Sequence, residues 1–159
     1  VTPVEPRDLD TGTLALFVGS AAVTAVREQL EAAGFTGLRT SHGYVFQHLV
    51  DGRPTIGELA ARLEMTQQGA SKAVAELERL GYVERVPGER DARVRLVALT
   101  ARGRAAVEAA RSARRELEER LRARCGEQGL DETRRMLVEL LDELGGTEAV
   151  RRRDVRPPA

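Results

Sequence analysis

With one cysteine, no tryptophan, three phenylalanines and two tyrosines in 159 residues, the chain has little to build a disulfide scaffold from. A lone cysteine closes no intramolecular bridge, which fits a reducing compartment. No stretch approaches the roughly 20 apolar residues that a membrane helix needs. The opening segment VTPVEPRDLD carries neither the basic nor the apolar region of a secretion signal. A cytoplasmic protein without a membrane partner is expected. Catalytic material is also missing: there is no nucleophile with a matched base, no glycine-rich phosphate loop and no cluster of carboxylates on one face. An enzyme is therefore not expected. His42 and His48 stand six apart, and two histidines cannot close a tetrahedral metal site. They read as structural residues, and neither metal nor cofactor is expected.

What the chain has in quantity is helix-forming sequence, 42% hydrophobic and 31% charged, rich in Ala, Leu, Glu and Arg. Its length is one domain's worth. The most informative stretch runs from Thr55 to Gly103. Thr55 and Glu58 make a T-x-x-E capping box, and Ile56, Leu59, Ala60 and Leu63 follow as one apolar stripe of about two turns. Thr66 then caps a second helix, in which Ala70, Ala73, Val74, Leu77 and Leu80 share a side. The other side carries Gln67, Gln68, Ser71, Lys72, Ala75 and Arg79. Small and amide-bearing residues followed by a cation suit a helix whose first turns meet base edges and phosphates in a major groove about 12 Å wide.

Gly81 ends that helix, and Tyr82–Val86 opens a strand that turns at Pro87–Asp91. The return strand is expected over Arg93–Leu99, with Val94, Leu96 and Ala98 on one face and Arg93, Arg95, Val97 and Leu99 on the other. A two-stranded ribbon carrying arginines after a helix-turn-helix is a winged helix, whose wing can lay a guanidinium in the adjacent minor groove. Asp91, Arg93, Val97, Leu99, Thr100 and Gly103 spell D-x-R-x-x-x-V-x-L-T-x-x-G. In this wing pattern the stretch resembles the MarR family of bacterial transcriptional regulators, over about Arg39 to Gly103. The resemblance implies that Arg93 enters the minor groove, that Asp91 helps hold the wing, and that the Gln67–Lys72 helix is the recognition helix. The candidate DNA-binding set is Thr66, Gln67, Gln68, Ser71, Lys72, Arg90, Asp91, Arg93 and Arg95.

Zero net charge is unusual in a binder of phosphates, so distribution decides. Arg62–Arg104 holds nine Lys or Arg against six Asp or Glu, a net of +3, whereas Val1–Gly34 holds two against five, a net of −3. So modest an excess calls for two reading heads. The flanks supply the means: a helix over 11–33 with Leu14, Phe17, Val18, Ala21, Ala25, Val26 and Leu30 on a broad apolar side, and a long helix over 101–124 with a narrow seam of Val107, Ala110, Leu117 and Leu121. Gly126 and Gly129 break it, and a last helix is expected over 131–144 with Leu137, Leu140, Leu141 and Leu144.

The expected architecture is mainly α with a small antiparallel β-ribbon, a winged helix-turn-helix core over 38–100 and dimerisation helices over 11–34 and 101–146. Residues 147–159, ending in RRRDVRPPA, are expected to be disordered. A homodimer would set two recognition helices about 34 Å apart on a palindromic operator. The resemblance further implies repression and release by a small aromatic or phenolic effector, with Phe17, His42 and Phe46 as pocket residues. Cys125 reads as a helix-terminal cysteine rather than an oxidation sensor, because sensor members of the family place theirs near the N-terminal helix. The competing reading is a protein-interaction module that keeps the winged-helix shape without binding DNA; it would have lost the cations that this chain retains at Lys72, Arg90, Arg93 and Arg95.

Overall fold

The computed structural model describes residues 4–153. A 3-10 turn at Pro6–Asp8 leads into α1 (Thr11–Ala32), which starts where the Asp10 carboxylate accepts the Thr13 N–H at 2.9 Å and its hydroxyl at 2.6 Å. After it come α2 (Thr40–Leu49), α3 (Ile56–Arg62) and α4 (Gln67–Arg79), then an antiparallel hairpin of β1 (Val83–Pro87) and β2 (Arg95–Leu99). Three more helices follow among the described residues: α5 (Ala101–Cys125), α6 (Glu127–Glu143) and α7 (Thr147–Arg151). The fold is mainly helical with a small ribbon, as the residue pattern predicts. None of the helices among the described residues is long and apolar enough to cross a membrane.

Local chemistry sets the boundaries of the central helices. At Thr55 the hydroxyl accepts the Glu58 N–H at 3.2 Å while the Glu58 carboxylate accepts the Thr55 N–H at 2.7 Å. At Thr66 the hydroxyl accepts the Gly69 N–H at 3.0 Å. Between α3 and α4 the chain turns through Glu64, which takes the left-handed conformation at φ 48°. The apolar stripes of both helices go inward: Leu59, Leu63, Val74 and Leu77 join Val45 and Leu49 of α2, Val83, Val97 and Leu99 of the ribbon, and Ala106 of α5 in one core.

Tyr82 sits at the centre of that core rather than in a strand. Fully buried, it meets Phe46 edge-on at 6.1 Å and donates its hydroxyl to the Thr36 carbonyl at 2.8 Å. Arg102 stacks its guanidinium 4.8 Å above the same ring. A smaller cluster of Val26, Leu30 and Ala113 joins α1 to α5, with Ala109, Ala110 and Leu117 packed against it. The long-helix seam is thus used in part, while Leu121 stays exposed.

Besides β1, which starts at Val83 and takes in Pro87, three boundaries differ from the residue pattern. α6 begins at Glu127, not residue 131, because Gly126 alone turns the chain with φ 78° and Gly129 sits inside the helix, its carbonyl taking the Thr133 hydroxyl at 2.8 Å. β2 begins at Arg95, not Arg93, for the reason given below. Residues 147–151 form a helical turn in place of an irregular tail, with Glu148 placed to pair with Arg151 at 2.7 Å and Arg152 at 3.7 Å. The rest of the expected tail, 154–159, lies outside the described residues.

Candidate nucleic-acid interface

Helix α4 presents its N-terminal turns to solvent: Thr66, Gln67, Gln68 and Lys72 are exposed and Ser71 is half-buried. Opposite them Ala70, Val74 and Leu77 anchor the helix in the core. That division makes α4 a rigid shelf for amide and hydroxyl groups, which is what base-edge reading requires. No aspartate or glutamate interrupts the exposed first turns; the acids, Glu76 and Glu78, lie further along and are occupied. Glu76 pairs with Arg39, and Glu78 with Arg85 of β1 at 3.4 Å, which ties the ribbon to the helix.

The ribbon is shorter than its alternation suggests because side-chain chemistry takes over at its tip. The Asp91 carboxylate accepts the Arg93 N–H at 2.9 Å, the Asp91 carbonyl accepts the Val94 N–H at 3.1 Å, and Val94 returns its carbonyl to Gly88 N–H at 2.8 Å. Arg93 therefore rides on the turn, and the expected sharing of one strand face by Arg93 and Arg95 does not hold. The register places Arg95 opposite Pro87, Val97 opposite Arg85 and Leu99 opposite Val83. Val97, Ala98 and Leu99 are all buried, so the base of β2 is covered on both faces. Its far edge is also paired, through Val97 N–H to the Pro54 carbonyl at 2.8 Å and a bridge between Thr55 and Leu96.

Cations divide sharply into those already engaged and those left free. Arg102 donates to the Gly34 carbonyl at 2.9 Å and Arg104 to the Leu99 carbonyl at 2.7 Å, both serving the fold. By contrast Lys72, Arg90, Arg93 and Arg95 are exposed and have no acid partner among the described residues. The wing motif's own ending is structural. Thr100 caps α5 by accepting the Gly103 N–H at 3.0 Å and donates its hydroxyl to the Gly81 carbonyl at 2.6 Å, locking the wing's exit to the end of α4.

Behind this surface, a cavity of about 280 Å³ opens between α1, α2 and α5. His42 and Phe46 line it, together with Val26, Leu30, Val107 and Ala110. Phe17 does not. It lies 56% exposed on the N-terminal half of α1, away from the part of that helix which packs on α5. His42 is buried at 2% exposure and has a capping role, its Nδ1 accepting the Arg39 N–H at 3.1 Å. Burial first, and the neighbouring Arg39 charge second, hold its pKa below the ordinary 6.5.

That shift fixes a pH dependence. The folded chain resists a proton that the unfolded chain accepts, so the stability difference is complete above pH 6.5 and is lost as pH falls from there toward the lower folded value. Denaturant titrations between pH 7.5 and 5 are expected to show this decline, and His42→Asn to flatten it. An identical slope in the variant would contradict the assignment. Among the described residues no three His, Cys, Asp or Glu side chains gather as a metal site. Cys125 is exposed, and the nearby Arg122 is engaged by Glu118, Glu127 and Asp131.

Residue reasoning did not anticipate Arg39, Glu76, Tyr82 or the arginines Arg27, Arg111 and Arg114 at the cavity. Charge at i, i+3 spacing along α5 was a visible signal for the last two.

Comparison with known proteins agrees with this geometry. Residues 36–94 match the sequence profile of the MarR family. No curated protein sequence matches the chain significantly. Among solved structures, MepR, a transcription regulator of the Staphylococcus aureus multidrug efflux pump MepA, is 25% identical with a TM-score of 0.65, covering 86% of this chain and 99% of its own. A MepR variant bound to an oligodeoxyribonucleotide is also 25% identical, with a TM-score of 0.59 and coverage of 86% and 99%. RV1404 from Mycobacterium tuberculosis shares the fold at a TM-score of 0.70 and 22% identity, over 89% of this chain and 97% of that one. By its wing motif, its helix-turn-helix and its profile match over residues 36–94, the winged core of this chain is similar to the MarR family.

Proposed function

We propose that the chain is a DNA-binding transcriptional regulator, a repressor that binds a palindromic operator as a homodimer and leaves it when a small effector binds. One observation carries the reading: four cations without acid partners among the described residues, Lys72, Arg90, Arg93 and Arg95, flank an edge of exposed Gln67 and Gln68 and half-buried Ser71 on a helix anchored in the core. In the proposed complex that edge, with Thr66, reads the major groove while Arg93, shaped by Asp91, enters the minor groove. A MepR variant is known with an oligodeoxyribonucleotide, which supports the same use of this fold here.

Dimerisation is supported by what the single chain leaves uncovered. α1 exposes Leu14, Leu16, Phe17, Val18 and Val23, and α6 exposes Met136, Leu137, Val138 and Leu141, with Leu144 exposed at its C-terminal cap. Only Val26 and Leu30 of the α1 stripe are buried within the chain. Apolar faces of this kind on terminal helices are covered best by a second copy, whose two-fold axis also doubles the reading heads. Residues 11–34 and 101–146 would then be the dimerisation helices and 38–100 the reading core. The effector is placed in the cavity beside His42 and Phe46, between the dimerising and reading parts. There it favours a head spacing that no longer fits successive grooves.

Salt dependence tests the phosphate part directly. If a dimer sets the four free cations of each head on phosphates, log K for a random duplex falls with log salt at a slope of about −7. A slope near zero would leave the winged shape without a DNA-binding role and favour the interaction-module alternative.

A further inference from the structure

The cavity and the recognition helix share one acid. Arg39 and His42 both line the cavity, and both face Glu76 of α4. Arg39 already pairs with Glu76. His42 does not: its Nε2 stands 3.7 Å from the same carboxylate oxygen and has no hydrogen-bond partner, although the residue is 2% exposed. Because Nδ1 accepts the Arg39 N–H, the proton of the neutral ring sits on Nε2. Glu76 therefore has two donors within reach, one satisfied and one waiting. A move of about 1 Å exchanges them.

The cavity's own chemistry says what would drive the exchange. Its walls are apolar, Val26, Leu30 and Phe46 among them, and its charged members are Arg27, Arg39, Arg111 and Arg114, with no aspartate or glutamate in the lining. Arg111 pairs with Glu108, while Arg27 and Arg114 have no acid partner among the described residues. An apolar chamber rimmed by guanidiniums suits a ring-bearing monoanion and repels a cation.

Resting on the effector-released reading above, we propose that Glu76 is the relay between cavity and DNA surface: a ring-bearing carboxylate takes the Arg39 guanidinium, and Glu76 transfers to the His42 Nε2–H. Glu76 lies on α4, so the transfer pulls the recognition helix toward α2. Such a relay shifts the head equilibrium by the ligand's preference for the exchanged state.

The test needs no DNA, so its failure is separable from failure of the regulator reading. Calorimetric titration compares 1-naphthoate with 1-naphthamide, alike in shape and different in charge. The naphthoate is expected to bind at least tenfold more tightly, Arg39→Gln to erase that preference, and Glu76→Gln to tighten naphthoate several-fold by removing the competing carboxylate. In ¹⁵N-histidine-labelled protein, naphthoate is expected to shift the His42 Nε2 resonance in the wild type and to leave it unmoved in Glu76→Gln. Equal affinity for the two probes, binding of neither, or a naphthoate affinity indifferent to Glu76→Gln would overturn the relay.

Discussion

Replacing Gly103 by alanine is expected to destabilise the fold by about 3 kcal/mol, a drop of about 10 °C in melting temperature for a chain of this size. A Cβ at Gly103 would overlap the Tyr82 carbonyl oxygen and crowd the Leu99 side chain. That carbonyl accepts the Thr100 N–H at 3.1 Å, so the first turn of α5 cannot retreat without breaking the bond that seats the wing's exit on the core. Tyr82 cannot yield either, being fully buried with its hydroxyl committed to Thr36. The effect is steric rather than conformational, so Gly103→Ser should do no better. Thermal melts that leave Gly103→Ala within about 1 °C of the wild type would contradict the packing described.

Arg93→Ala is expected to weaken operator binding by about ten- to hundredfold and to lower the magnitude of the salt slope by about 1 for each head. Its backbone is held on the turn by the bond from its own N–H to Asp91, and its guanidinium has no ion-pair partner among the described residues. Asp91→Ala removes that turn-forming acceptor while leaving the cation, so it should weaken binding less and leave the slope close to that of the wild type. Fluorescence anisotropy at several salt concentrations separates the two. An Arg93→Ala protein with unchanged affinity throughout would remove the wing from the interface.

Most of the fold was legible because its determinants are local. Thr55 with Glu58, Thr66 and Asp10 mark helix starts through bonds spanning three residues, and those starts are where the sequence puts them. The stripes of α3 and α4 are equally local, and they form the core. Misreadings arose where a local rule met a competitor. Alternation carried the return strand to Arg93, but Asp91 captured the backbone there into a turn. Gly129 resembles a breaker, yet the helix runs through it because Gly126 had already made the turn.

Other features depend on contacts that the sequence does not encode nearby. The reason for Gly103 lies in Tyr82, and Arg39 meets Glu76 across 37 positions. Phe17 and Val26 belong to one apolar stripe, and nothing in the stripe tells which half meets α5. Of the candidate effector residues, His42 and Phe46 line the cavity while Phe17 stays on the surface that dimerisation would cover.

The most direct measurement is selection of bound duplexes from a random pool by the purified full chain, followed by sequencing. A two-headed reader of major grooves predicts recovery of an inverted repeat whose half-sites lie about one helical turn apart, roughly 34 Å. Enrichment of no sequence over the starting pool, or of a single unrepeated half-site, would contradict it.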